Sequence, residues 1–235
     1  MKKIVSIALF CLFAFAVQAQ HKGQHHIWHG LLQKHVNEKG EVNYTGFQAD
    51  IAALERYCHS LGANPPQAGW SLDEQKAYWL NVYNAFTVKL IVENYPLKSI
   101  KKIESPWDRP FVELGADTMS LNDVEHNILR KKFNDPRIHV GINCASISCP
   151  KLHNQAFTAN NVDALLSKLT TEFLSDGTRN QLYKGEMRLS MLFNWFESDF
   201  TKNGSLIDFI NTYSKVKVNK DAFISYIDYN WNLNE

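Results

Sequence analysis

Apolar positions recur along this chain with two periods, and most keep the helical one. Ile27, Leu31, Leu32 and Val36 predict an amphipathic helix within 20–38, and Ile51, Leu54, Tyr57 and Cys58 predict a second over 47–61. Ser71 and Glu74 stand at capping-box spacing, so each satisfies a helix-start amide of the other. The helix they open reaches about Asn94, ahead of Pro96. From Ala77 to Val88 it is apolar or aromatic on nearly every side, the pattern of a helix buried all round. Ser120 and Asp123 open another, with Leu121, Val124 and Ile128 as its stripe, Glu125 inside that stripe and His126 toward its flank. Thr158 and Asn161 open a helix through Val162, Leu165, Leu166, Leu169 and Phe173, ended by Asp176-Gly177. Two short helices are expected over 193–200 and 206–213.

The period of two appears in three places. After a turn at Asp135-Pro136, Ile138, Val140 and Ile142 alternate with Arg137, His139, Gly141 and Asn143, which predicts a strand with one polar face. A small hairpin is expected over 180–190, turning at Lys184-Gly185, and a last strand over 223–229. The stretch 99–115 reads as irregular. The expected fold class is α+β: a mainly helical single domain, residues 20–235, around a small β-sheet.

The first 19 residues stand apart from that domain. Lys2 and Lys3 precede an apolar run from Ile4 to Val17, and Val17-Gln18-Ala19 forms a small-residue cleavage site, the layout of a signal peptide. Export to the periplasm or the medium is the expectation, with no membrane span left after removal. The chain carries 25 Lys plus Arg and 24 Asp plus Glu. Losing Lys2 and Lys3 leaves 23 against 24, so there is no basic field for nucleic acid. Three of the four cysteines remain: Cys58, Cys144 and Cys149.

The densest chemistry lies between Asp135 and Pro150, where a histidine-bearing segment runs into Cys144 and Cys149. Three uses of the thiols are open. A nucleophilic thiolate would need a base, and His139 and His126 are equal candidates. A dithiol–disulfide couple would close a ring over four intervening residues, a wider spacing than in thioredoxin-like sites. A metal site would need two further ligands that no spacing supplies. Against all three stands a structural Cys144–Cys149 disulfide or a pair of buried thiols. Elsewhere, His25 and His29 share a helix face without a third ligand, and Cys58 reads as a small buried hydrophobe. Asn81 and Asn84 share a face of the buried helix and need partners, either a neighbouring loop's backbone or a site.

Tyr78-Trp-Leu-Asn-Val-Tyr-Asn-Ala-Phe86, Tyr95-Pro-Leu-Lys-Ser-Ile100, Pro106-Trp-Asp108, Ser120-Leu-Asn-Asp-Val-Glu-His126, Ile128-Leu-Arg130 and Arg137-Ile-His-Val-Gly-Ile-Asn-Cys-Ala-Ser-Ile-Ser-Cys-Pro150 occur in order. Together they resemble the domain-of-unknown-function family numbered 547, over nearly the whole chain from Trp28 to Asn234. The resemblance implies a shared site drawn from Asn81, Asn84, Glu125, His126, His139, Cys144 and Cys149, without naming a reaction.

The leading expectation is a cysteine-dependent hydrolase or acyl or amide transferase acting on a small-molecule or peptide-like substrate in the envelope or outside the cell. Cys144 or Cys149 would be the nucleophile, His139 or His126 the base, Glu125 its orienting group, and Asn81 or Asn84 an oxyanion donor. No cofactor is expected. A non-catalytic envelope binding module stapled by a Cys144–Cys149 disulfide and a thiol–disulfide redox protein are the alternatives, so enzyme status stays open.

Overall fold

The computed structural model describes residues 25–235; the predicted signal peptide lies outside the described residues. The architecture is α+β and mainly helical, with two small sheets. Its mast is α4, Leu72–Glu93, the fourth helix after α1 (His26–His35), α2 (Tyr44–Ala49) and α3 (Ile51–Ala63). The predicted capping box is formed: Ser71 Oγ accepts from the Glu74 amide while the Glu74 carboxylate accepts from Ser71 N–H. Fifteen of the 22 residues of α4 are buried, so it crosses the core instead of lying on it. The expected helix over 47–61 is two helices broken at Asp50. The carboxylate there accepts from Lys34 and His35 at 2.6 and 2.7 Å, and ties the break to α1.

A small hairpin occupies part of the stretch read as irregular. Strands β1 (Val112–Leu114) and β2 (Asp117–Met119) pair antiparallel, and Gly115 turns them at φ +68°, where an L side chain would be strained. Ser120 and Asp123 then cap one another as predicted. The helix they start widens over Asp123–Leu129 into a π-helix, with Arg130 N–H reaching back five residues to the Glu125 carbonyl, before α5 (Arg130–Phe133). Such widened turns recur at functional sites because they re-aim side chains.

The strand expected through 138–142 is not there. Ile138–Gly141 is instead a short helix, α6. Asp135 and Pro136 act as a helix start: the Asp135 carboxylate accepts from Arg137 N–H, and proline suits a first turn because its missing N–H is not needed. Ile138, His139, Val140 and Gly141 are all buried, so the alternation never reported two faces. Gly141 explains the closeness of that packing. A Cβ there would sit 2.7 Å from Leu166 Cδ2 and 3.1 Å from Leu80 Cδ2.

Helix α7 (Val162–Ser175) packs on α6 and α4. The hairpin of β3 (Gln181–Leu182) and β4 (Glu186–Ser190) follows as expected, and β5 (Phe223–Ile227) adds to β4 in parallel. Between them lie α8 (Met191–Trp195), α9 (Glu197–Phe200) and α10 (Leu206–Tyr213), so the helix expected over 193–200 is split at Phe196. No helix among the described residues is long and apolar enough to cross a membrane.

Candidate active site

The site is built on the turn that follows α6. Asn143 Oδ1 accepts from Ala145 N–H at 2.9 Å, and Asn143 Nδ2 donates to the Pro150 carbonyl at 2.8 Å, so one side chain closes both ends of the loop. Ala145 takes φ +59°, a left-handed conformation that costs a non-glycine residue about 1–2 kcal/mol. That reversal returns Cys149 to Cys144. The Cys144 N–H donates to Cys149 Sγ at 2.9 Å, and the two sulfurs share a hydrogen bond at 2.9 Å. Cys58, Cys144 and Cys149 are all free thiols.

The two neighbouring thiols differ in acidity. Hydrogen bonds from Cys149, then Ser146 and Tyr229, hold the Cys144 thiol below the ordinary range, against burial and the Glu125 charge. The Ser146 and Tyr229 hydroxyls each lie 3.3 Å from Cys144 Sγ. Burial, and then the adjacent Cys144 sulfur, push Cys149 well above that range. Of the two, Cys144 is therefore the more acidic thiol and the one more readily ionised. Cys58, remote from both, is buried among hydrophobes and pushed up to about 12 by that burial.

A cavity of about 180 Å³ opens onto the pair. Glu125, His126 and His139 line it together with Cys144 and Cys149, and Trp107, Trp195, Trp231 and Tyr229 supply an aromatic side. The π-helix brings Glu125 and His126, consecutive residues, to one cavity. His139 enters from α6. Its Nε2 meets Asp199 Oδ2 at 2.8 Å, its Nδ1 lies 3.5 Å from Glu125 Oε1 without a hydrogen bond, and its ring stacks on Phe196 at 3.9 Å. His126 Nδ1 accepts from Arg130 at 3.1 Å. Five of the seven expected site residues therefore share one cavity.

Among the described residues, neither candidate base hydrogen-bonds a sulfur: His139 turns to Asp199 and His126 to Arg130. Asn81 and Asn84 do not line the cavity. Asn81 donates to the Phe157 carbonyl and accepts its N–H, at 2.8 and 3.1 Å. Asn84 donates to the Gly141 carbonyl and accepts Asn143 N–H, both at 2.9 Å. Both amides are engaged with backbone and neither lines the cavity, so the structure does not bring them to the sulfurs for the oxyanion role expected of them. What they do instead is hold the segments on either side of the cysteine loop.

Two participants were missed in the sequence. Asp199 is buried and held below the ordinary carboxylate range by His139, and by Arg130 against burial. A carboxylate among the four aromatics of Phe193-Asn-Trp-Phe-Glu-Ser-Asp-Phe200 was the available signal. Tyr229 belongs to the C-terminal tail, which pairs with the loop through Ile147 N–H to Asn232 O at 2.9 Å and Asn230 N–H to Ser148 Oγ at 2.8 Å. Among the described residues no three His, Cys, Asp or Glu side chains are grouped to hold a metal ion, and His25 bonds the Tyr57 hydroxyl at 2.7 Å.

Residues 67–174 match the family model described as "Protein of unknown function, DUF547". The match takes in both cysteines but stops short of Asp199 and Tyr229, and is narrower than the near full-length resemblance expected above. No curated protein and no solved structure matches the chain.

Proposed function

Over residues 67–174 the chain belongs to the DUF547 family, whose function is unknown, and on the geometry of the site we propose that it is a thiol enzyme catalysing thiol–disulfide exchange. The observation that carries this is the Cys144–Cys149 pair: sulfurs 2.9 Å apart, one at a cavity with its pKa lowered, the other buried with its pKa raised. That asymmetry suits an attacking thiol followed by a resolving one. The Cys144 thiolate attacks one sulfur of a substrate disulfide, forming a new S–S bond and expelling the other half as a thiolate. Cys149 then loses its proton to solvent and attacks Cys144 Sγ, expelling the second half. The substrate disulfide is reduced to two thiols as the cysteine pair is oxidised to a disulfide. The Cys144 N–H, already on Cys149 Sγ, stabilises that second thiolate. Export, expected from the leader, would place the enzyme where substrate disulfides persist.

A second reading, acyl or amide transfer through a Cys144 thioester, is favoured by the His126 ring on the same cavity. One experiment separates them. In Cys149→Ser, exchange predicts a stable mixed disulfide on Cys144 when reduced protein meets a small disulfide, and parent protein ends as a closed Cys144–Cys149 bond. Acyl transfer predicts continued turnover of an activated ester by the same variant, with the acyl group on Cys144. A Cys144–Cys149 bond in the isolated protein that excess dithiothreitol leaves intact would sink both, in favour of a structural staple.

A further inference from the structure

The cavity has an aromatic wall that begins at the reactive sulfur. The Tyr229 hydroxyl lies 3.3 Å from Cys144 Sγ, and the same ring stands 4.8 Å from Trp195 and 4.5 Å from Trp231, centroid to centroid. Trp195 and Trp231 stack at 5.8 Å with 24° between their planes, and Trp107 meets Trp231 edge-on at 5.5 Å. Packing accounts for most of these rings. Trp107 and Trp231 rest on the core, and Phe196, also at the cavity, is covered by the His139 ring at 3.9 Å and the Arg130 guanidinium at 5.1 Å. Trp195 is left over: it is 45 % exposed at the cavity, because α8 turns Leu192 and Phe193 inward instead. A large apolar ring left to water beside a cavity is surface that a ligand can cover.

We infer that the substrate is a small disulfide carrying one compact aromatic ring joined to its sulfur by a short chain, seated on Trp195 and Tyr229, and that this ring-bearing half is the one retained on Cys144. The inference rests on the exchange reading for the disulfide, and on the aromatic wall alone for the ring. Cys144 Sγ bonds the sulfur of the ring-bearing half as the substrate S–S bond breaks and the other half leaves as a thiolate. The sulfur that is attacked stays beside Tyr229, so its substituent lies along the wall. Size agrees. An apolar cavity of about 150 Å³ takes up one benzene, and this one, at about 180 Å³, has room for a ring and a short chain but not for a folded protein's disulfide loop.

The test uses the reduced full chain carrying Cys149→Ser, with benzyl 2-hydroxyethyl disulfide, one molecule that offers both halves. Acid quenching in the first turnover, then mass measurement of the fragment containing Cys144, counts benzylthio and hydroxyethylthio adducts. Their ratio is divided by the ratio that N-acetylcysteine gives with the same disulfide, which removes intrinsic differences between the two sulfurs. The normalised ratio should favour the benzyl half by about tenfold or more, the scale set by withdrawing part of a ring from water, and adding Trp195→Ala should bring it toward one. Independently, benzyl alcohol, which cannot exchange, should slow the alkylation of Cys144 by iodoacetamide, and ethanol at the same concentration should not. A normalised ratio near one, or one that Trp195→Ala leaves unchanged, overturns the aromatic site and leaves exchange standing. Failure of either half to form an adduct on Cys144 overturns exchange, and benzyl alcohol then decides the ring site by itself: protection that Trp195→Ala abolishes supports it, and any other result overturns it.

Discussion

The Tyr229 hydroxyl lies 3.3 Å from Cys144 Sγ, across 85 residues of chain, and it shares that sulfur with Ser146. Burial and the two sulfurs push the Tyr229 phenol up, so it stays protonated and acts as a donor. Tyr229→Phe keeps the ring and removes the donor. The thiolate fraction of Cys144 should fall, and alkylation by iodoacetamide at pH 7 should slow by roughly three- to tenfold. The pH–rate curve should move to higher pH, because a less stabilised thiolate needs a lower proton concentration to form. An unmoved curve would show that the tail only covers the site.

Asp199 gathers three donors: Arg130 at 2.6 Å, His139 at 2.8 Å and Lys202 at 3.3 Å. Asp199→Asn keeps the shape and leaves the buried His139 ring without its anion, at a cost of about 3 kcal/mol. The carboxylate titrates lower folded than unfolded, so its contribution is complete above about pH 4 and is lost as pH falls through the depressed folded value. Denaturant melts should therefore show the largest gap between variant and parent near neutral pH and a closing gap in acid. A gap independent of pH would assign the loss to packing.

Asn84 joins α4 to the cysteine loop by a two-way clasp on Gly141 and Asn143. In Asn84→Ala a buried carbonyl and a buried N–H lose their partners together, at about 2–4 kcal/mol. Asn143 N–H is one of those groups, and its side chain closes the loop that holds Cys144. Asn84→Ala should therefore lose stability and also blunt the low-pH reactivity of Cys144. Urea titration and thiol labelling of the same sample check both.

These residues also mark what could be seen without coordinates. The capping boxes at Ser71 and Ser120, the buried helix between them and the turn at Lys184-Gly185 are local chemistry, and each stands where its spacing placed it. Glu125 declared itself as a carboxylate in an apolar stripe, and it is buried at the cavity. The failures share a cause. Alternation at 138–142 resembles a strand only if half the residues meet water, and α6 is buried throughout. The π-helix leaves no mark on an apolar stripe, since widening by one residue shifts side chains without changing their kind. Asp199 and Tyr229 reach the site over 60 and 85 residues, and a single sequence carries no signal for such pairings.

Gly141 tests the packing that brings His139 to the cavity. An added methyl would meet Leu166 and Leu80 inside van der Waals contact, so Gly141→Ala should cost about 1–3 kcal/mol although alanine favours helix elsewhere. Pairing it with Leu166→Val should recover part of the loss, because the shorter side chain vacates the contact at Cδ2. A stabilised Gly141→Ala would mean that propensity outweighs packing at α6.

Arg179 stands behind the loop, outside the cavity, and grips two carbonyls of it: Nε donates to Cys149 O at 2.9 Å and Nη2 to Ile147 O at 2.6 Å. Its third nitrogen is paired with Asp176, so the fork is fixed from the far side. Lysine carries the charge but cannot span both carbonyls. In Arg179→Lys the Cys149 end of the loop loses its brace while the donors to Cys144, which come from Ser146, Tyr229 and Cys149 itself, stay in the chain. The step that suffers should be the one that moves Cys149. Resolution of the Cys144 mixed disulfide should slow by about tenfold, the scale at which small misplacements of a reacting atom act. First attack on the same disulfide should change by less than about twofold, since no group bonded to Cys144 Sγ has been removed. Rapid quenching followed by mass measurement separates the two steps by the accumulation of the mixed-disulfide adduct. If both slow together, Arg179 holds the loop as one rigid body, and the division of labour between the two thiols does not extend to their supports.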